Sequence, residues 1–403
     1  MPNASPPLAG VRVLDLSRIL AGPVCTQILA DLGADVVKVE RPEVGDDTRQ
    51  WGPPFLDGDG PSAYYLSCNR GKRSMTIDLA TPAGRRLVAE LVAKADVLVE
   101  NFLPDAIEKF DLSHERLMAI NPNLAHVSIS TFGRTGPNAS LPGYDLMIQA
   151  AAGLMSITGE REGMPMKVGV AITDVVTGLY AAISALAGLV ARRGGAGGGG
   201  YDLALADCTL ASLVNVAQSA LVTGRRPQRW GNAHPQIVPY EAFATSDGHL
   251  VLAVGADRQW RRLCHALEEP GLADDPRYAT NPARVENRLS LVAHLGDIFR
   301  LRATDEWLRL LTEAEVPHSP VLAVDEVLAT PQVAARGMVR EVTDAAGRRY
   351  RLLRGPMRRF DGQVFDPREP PDLGADTAEV LREWLGYDDE QVAAARRDQA
   401  IGE

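Results

Sequence analysis

A chain of 403 residues exceeds the usual size of a single hydrophobic core, so two domains are expected, and 45% hydrophobic content is ample to fill them. A net charge of −10 argues against a nucleic-acid partner and against non-specific attraction to an acidic membrane. The four cysteines (Cys25, Cys68, Cys208, Cys264) form no Cys-x-x-Cys pair and have no histidine at zinc spacing, which excludes a metal site of that kind and predicts reduced, buried thiols in a cytoplasmic protein.

Residues 1–7 lack a basic stretch followed by an apolar one, so no signal peptide is expected. Strands are predicted at 11–16, 35–40, 75–79, 97–100 and 126–130. Between them, helices are predicted at 23–32, at 82–94 with Pro82 at its start, and at 113–120. This alternation predicts an α/β fold with a mostly parallel, doubly wound, Rossmann-like sheet. Ligands of such sheets gather past the carboxyl ends of the strands, where Arg41, Asn101, Phe102 and Phe132 stand.

Asp174 then stands at the head of a nearly uncharged run, 175–191. An acid there is either the cap of a helix or a nucleophile in a dry site, and the two roles are compatible. The helix start predicts a lowered pKa for it. The stretch 179–190 comes nearest to a membrane span, but it is too short before Arg192 and Arg193 and too rich in small residues, so a buried helix is expected. The glycine run 194–200 invites a phosphate-loop reading. A phosphate loop follows a strand and ends in Gly-Lys-Ser/Thr, whereas this run follows a helix and precedes a strand at 201–205, so a turn is expected. Residues 202–222 read as a strand leading into a helix. Beyond 224–227, residues 230–243 read as loop, 250–254 as strand, 257–267 as helix and 270–284 as a surface connection. Helices are expected at 288–301 and 305–315, and an amphipathic one returns over 373–400.

Several short motifs recur in order: Leu-Asp-Leu-Ser-Arg-Ile-Leu-Ala-Gly-Pro (14–23), Val-Val-Lys-Val-Glu-Arg-Pro (36–42), Asn-Arg-Gly-Lys-Arg-Ser (69–74) and Asp-Val-Leu-Val-Glu-Asn-Phe (96–102). Ser-Thr-Phe-Gly-Arg-Thr-Gly-Pro (130–137), Gly-Tyr-Asp (143–145) and Gly-Val-Ala-Ile-Thr-Asp-Val-Val-Thr-Gly (169–178) follow. Each is weak alone. The ordered set, running from about residue 8 to the C-terminus, resembles the class III CoA-transferases, the family of formyl-CoA and carnitine CoA-transferases and, more distantly, of α-methylacyl-CoA racemase. The resemblance implies a large CoA-binding domain begun by residues 1–224 and completed by 326–403, a smaller α/β domain at 225–325, and an interlocked homodimer. It implies acyl-CoA and a small carboxylic acid as substrates, with no cofactor beyond CoA, no metal, no nucleic acid and no membrane.

By the same resemblance Asp174 is the nucleophile, which accepts first an acyl group and then CoA. Ala21, Arg41, Ile77, Asn101, Phe102, Leu103, Lys109 and Tyr144 match the CoA site, with Lys72 and Arg73 as further candidates. Leu20 stands where the formyl-CoA branch has Gln, which turns the reading away from formate and oxalate. Residues 230–241 resemble the stretch found in transferases that use succinyl-CoA and dicarboxylates, where His234 either contacts the acceptor carboxylate or orders the loop. His114, His126, His249, His265, His294 and His318 show no ligand or triad spacing. The racemase branch is the main alternative, but it pairs its aspartate with a histidine where this chain has Tyr144, and a phenol of pKa about 10 is a poor base near neutrality. An inactive CoA-binding protein would have lost Asp174. A nicotinamide-dependent oxidoreductase would carry Gly-x-Gly-x-x-Gly after the first strand, where Ala21-Gly22-Pro23 offers one glycine.

Overall fold

Six parallel strands form the main sheet: β1 (Arg12–Asp15), β2 (Asp35–Glu40), β3 (Lys72–Thr76), β4 (Val97–Glu100), β5 (Ala125–Ser130) and β6 (Gly200–Ala204). They lie in the order β3-β2-β1-β4-β5-β6, the doubly wound arrangement with its topological switch point between β1 and β4. The computed structural model describes residues 5–360 and 368–402; residues 1–4, part of the segment in which no signal peptide is expected, lie outside them.

Strand alternation divides the core between the two faces of the sheet. Val13, Val36, Val97, Val99 and Val127 pack with the helices Ala21–Asp31 and Ile172–Arg193. Leu14, Val37, Met75 and Leu98 pack instead with Leu87 and Leu91 of helix Pro82–Val92 and with Val380, Trp384 and Val392 near the C-terminus. Each fully buried aliphatic side chain of this kind contributes about 1.5–3 kcal/mol, so both faces hold the strand ends in place.

The chain forms two compact units. The first comprises Met1–Leu154, Val168–Val222 and Ala334–Glu403, and contains the six-stranded sheet and a hairpin of β10 (Val339–Thr343) and β11 (Arg349–Leu353). The second comprises Met155–Lys167 and Thr223–Val333. Its antiparallel sheet of β7 (Tyr240–Ala244), β8 (His249–Ala253) and β9 (His318–Pro320) shares a core with Trp260, Phe299 and Trp307. The indole Nε1 of Trp307 donates to the Phe299 carbonyl at 2.8 Å.

The structure moves several boundaries. The third strand begins at Lys72 rather than at 75, because Lys72 and Arg73 are buried in ion pairs that make a charged stretch an interior one. Part of the expected loop 230–243 pairs as β7. The tail is a helix Thr377–Val380, a wide turn Leu381–Leu385 and, after left-handed Gly386, a second helix Asp389–Arg397 capped by Asp388. Helix Ile172–Arg193 is only half buried. Its Thr173, Thr177, Gly178, Ala181, Ala185 and Gly188 stripe faces inward, while Leu179, Ile183 and Val190 are exposed.

Candidate active site

Past the carboxyl ends of β1 and β4 the chain forms two loops locked to each other. The Asn101 side chain accepts from the Arg18 N–H at 2.9 Å and donates to the Arg18 carbonyl at 2.8 Å. A cavity of about 280 Å³ opens there, and Leu20, Ala21, Asn101, Phe102, Leu103, Tyr144 and Asp174 line it. A second cavity of about 320 Å³ has Arg41, Ile77 and Phe102 in its wall. Phe102 and Arg18 line both, so the two spaces adjoin at those residues. Nearly all the residues expected to meet CoA therefore fall into one of two neighbouring cavities.

Asp174 is the third residue of helix Ile172–Arg193 and does not cap it. Asp145 satisfies that helix start instead: its Oδ1 accepts from the Thr173 N–H at 2.8 Å and the Thr173 hydroxyl at 2.6 Å. Buried Gln149 steadies the arrangement, donating to Asp145 Oδ2 at 2.7 Å and accepting from the Val168 N–H at 2.8 Å. Among the described residues no hydrogen bond or ion pair engages the Asp174 carboxylate. Burial, aided by the Asp145 charge, pushes its pKa up to about 7. This reverses the expected lowering, because loss of water around an unpaired carboxylate outweighs what a helix start offers. The result is a carboxyl group with both protonation states within reach near neutrality.

Helix Ile172–Arg193 can approach helix Ala21–Asp31 because residue 178 has no side chain. A Cβ there would lie 2.7 Å from the Ala21 carbonyl oxygen and 2.8 Å from Val24. The glycine thus brings the helix carrying Asp174 against the opposite wall of the cavity.

Arg18, Asp47 and Tyr64 were not singled out as site residues from the sequence. Asp47 bridges Arg41 at 2.6 Å and Arg18 at 3.3 Å, gathering two cations at the junction of the cavities. Arg18 stands three residues past the end of β1, and that place was the signal available. Tyr64 packs edge-on to Trp51 at 5.3 Å. Burial and the Asp174 charge push its phenol up, so it stays protonated as a potential donor. No spacing in the sequence announces that proximity.

Lys72 is fully buried and bonded to Asp15, Asn69 and the Pro23 carbonyl, and Arg73 binds Asp35 and Glu383. Both are committed inside the fold, which removes them as ligand contacts. Lys109 is in the wall of neither cavity, and its Nζ rests 5.8 Å from the Phe110 ring. His234 belongs to the second unit, where its Nδ1 accepts from the Gln236 N–H at 3.1 Å and its ring meets Tyr240 edge-on. His114 and His126 stack with their Nδ1 atoms 3.2 Å apart, beside a cavity of about 450 Å³. Arg134 in that wall is spent on Glu100, Ser128 and the Phe102 carbonyl, and the wall's Asp105, Glu108 and Glu115 are exposed, unlike Asp174.

Residues 8–377 match CoA-transferase family III. The chain is 46% identical over 394 residues to the succinate–glutarate CoA-transferase of Agrobacterium fabrum, covering 95% of this chain and 97% of that one. It is 40% identical over 390 residues to the human succinyl-CoA:glutarate CoA-transferase, covering 97% and 89%. The crystal structure of a CaiB/BaiF family protein from Brucella suis superposes with a TM-score of 0.83 at 45% identity, covering 94% of this chain and all of that one.

Proposed function

We propose, from the premise that this chain belongs to CoA-transferase family III and is a CoA-transferase, that it moves CoA from succinyl-CoA to a short dicarboxylate such as glutarate, with Asp174 as the nucleophile. The observation that carries the assignment of Asp174 is its unpaired, half-buried carboxylate in the wall of the switch-point cavity. The names of the Agrobacterium and human relatives favour succinyl and glutaryl groups.

In the proposed cycle an Asp174 oxygen attacks the thioester carbon, the C–S bond breaks, and CoA leaves as thiolate. The thiolate attacks the Asp174 carboxyl carbon of the resulting mixed anhydride and expels the donor acid, leaving an aspartyl-CoA thioester. The acceptor carboxylate attacks that thioester and the same steps run in reverse. No proton is gained or lost over the cycle, so the site needs no general base and no metal. Anhydrides hydrolyse readily, and apolar Leu20, Ala21, Phe102 and Leu103 around the carboxylate suit the exclusion of water. Arg18 and Arg41 are placed to meet the CoA phosphates once released from Asp47.

A homodimer belongs to this reading. Leu179, Ile183 and Val190 on the Asp174 helix and Leu210, Val214, Leu221 and Val222 on the two helices that follow are large apolar side chains left exposed, and clustered exposure of that kind marks a protein–protein surface. A second copy of the chain is the proposed cover.

The substrate assignment is tested by pairing succinyl-CoA with a panel of mono- and dicarboxylates and reading products by mass spectrometry. Glutarate and related dicarboxylates are expected to turn over well. If they are inert while formate or acetate reacts readily, the dicarboxylate reading is wrong.

A further inference from the structure

Ile19 holds a backbone conformation that the cycle leaves unexplained. It stands between β1 and helix Ala21–Asp31 with φ of +71°, a left-handed geometry that a β-branched side chain resists. Residues 17–19 are each gripped through their main chain. The Ser17 carbonyl accepts from Lys38 Nζ at 2.9 Å, and Asn101 holds both backbone groups of Arg18. The Ile19 N–H donates to the two Asp46 oxygens at 3.2 and 3.4 Å, and its carbonyl accepts from the Cys68 thiol at 3.7 Å.

Asp46 is itself immobilised. Its Oδ2 lies 2.8 Å from Lys38 Nζ with both side chains wholly buried, and its Oδ1 accepts from the Thr48 N–H at 3.0 Å and hydroxyl at 2.8 Å. Burial alone would push this carboxyl up, but Lys38 and the Thr48 bonds outweigh it and hold it down to about 2. A buried ion pair adds little net stability over an apolar pair of the same volume, so its worth lies in what it fixes. What it fixes is the turn that delivers Leu20 and Ala21 to the cavity wall, and Ala21 is the residue whose carbonyl abuts Gly178, one turn on from Asp174.

We propose that Asp46 is a positioning residue of the transfer reaction, holding Ile19 left-handed so that the Leu20–Ala21 wall stands at working distance from Asp174. The proposal rests on Asp174 being the nucleophile. Displacing that wall by about 1 Å alters the approach of the acyl carbon to Asp174, and misplacement on that scale costs about a hundredfold in rate.

The test is a double-mutant cycle on the full chain with succinyl-CoA and glutarate, reading kcat, KM and Tm for Asp46→Asn, Ile19→Gly and the pair. Asp46→Asn keeps the shape but loses the charge. It is expected to lower kcat about tenfold or more while the KM for succinyl-CoA moves less than about threefold. Glycine adopts φ of +71° without resistance, so the pair is expected to recover to within about threefold of Ile19→Gly alone. If Asp46→Asn does not fold, Thr48→Val, which removes the hydroxyl bond that fixes the Asp46 carboxylate and leaves Lys38 on the Ser17 carbonyl, is expected to lower kcat in the same direction with the KM again little changed. A kcat within twofold of wild type, or a kcat loss in Asp46→Asn that Ile19→Gly leaves unrelieved, overturns the proposal. Hydroxylamine trapping of wild-type enzyme separates the two readings: without an Asp174 adduct the nucleophile assignment fails, whereas an adduct together with an unaffected Asp46→Asn sinks only the positioning role.

Discussion

In the proposed cycle Asp174 serves the reaction at a cost to the fold. Its pKa, raised to about 7 by burial and by Asp145, lies above that of an exposed aspartate, so its neutral form is favoured in the folded state. The sign follows: the stability this group contributes is complete below about pH 4 and is lost as pH rises toward and through 7. Asp174→Asn removes that loss. It is expected to raise Tm at pH 8, by a free energy on the order of a few kcal/mol at most, with little change at pH 4, while lowering activity about a thousandfold or more. A variant that loses activity and also melts lower at pH 8 would mean the carboxylate is structural. Because the anion is the proposed nucleophile, kcat/KM of the wild type should fall as pH drops below about 7; an acid limb centred near 4 would contradict the environment described. Asp47 makes a separate prediction. It ties down Arg18 and Arg41 through half-exposed pairs, which salt screens readily. Asp47→Asn should lower the KM for acyl-CoA about threefold at low ionic strength, with the gain vanishing in high salt. A KM that rises instead would assign Asp47 a direct part in binding.

At the level of elements, the helix crossing at Gly178 offers the clearest test. An alanine in a helix interior is ordinarily about 1 kcal/mol better than glycine. Here its Cβ would meet the Ala21 carbonyl at 2.7 Å, a backbone atom that cannot swing aside, and overpacking of that kind costs about 1–3 kcal/mol. Overpacking should win, so Gly178→Ala is expected to lower both Tm and kcat; calorimetry showing a stabilised and fully active variant would refute the crossing. Much of this architecture was legible in the sequence. The apolar runs of β1, β2, β4 and β5 and the Asp174 segment follow periodicities set by burial on two faces. What stayed hidden depended on partners distant in the chain. Lys72 looks like a surface cation until Asp15 and Asn69 are seen around it. Asp145 looks like any helix-start acid until Thr173 is found on it. The pKa of Asp174 could not be inferred from a neighbouring helix alone, since its direction depends on solvent exclusion by loops far away in sequence.

For the molecule as a whole, the exposed apolar side chains of the Asp174 helix and its successors give the proposed dimer a physical cause. Light scattering across a dilution series should give the mass of two chains. Ile183→Glu with Leu221→Glu should shift the mass toward one chain, and a wild-type monomer at all concentrations would remove the second copy from the account. Deeper than any of these lies the claim that one carboxylate carries both the acyl group and CoA. It is met most directly by incubating the full-length enzyme with succinyl-CoA, quenching rapidly, and taking peptide mass spectra with and without hydroxylamine. The account predicts a CoA-sized adduct on the peptide bearing Asp174, its conversion to the hydroxamate by hydroxylamine with loss of activity, and neither in Asp174→Asn. An adduct on another residue, or full turnover by Asp174→Asn, would contradict it.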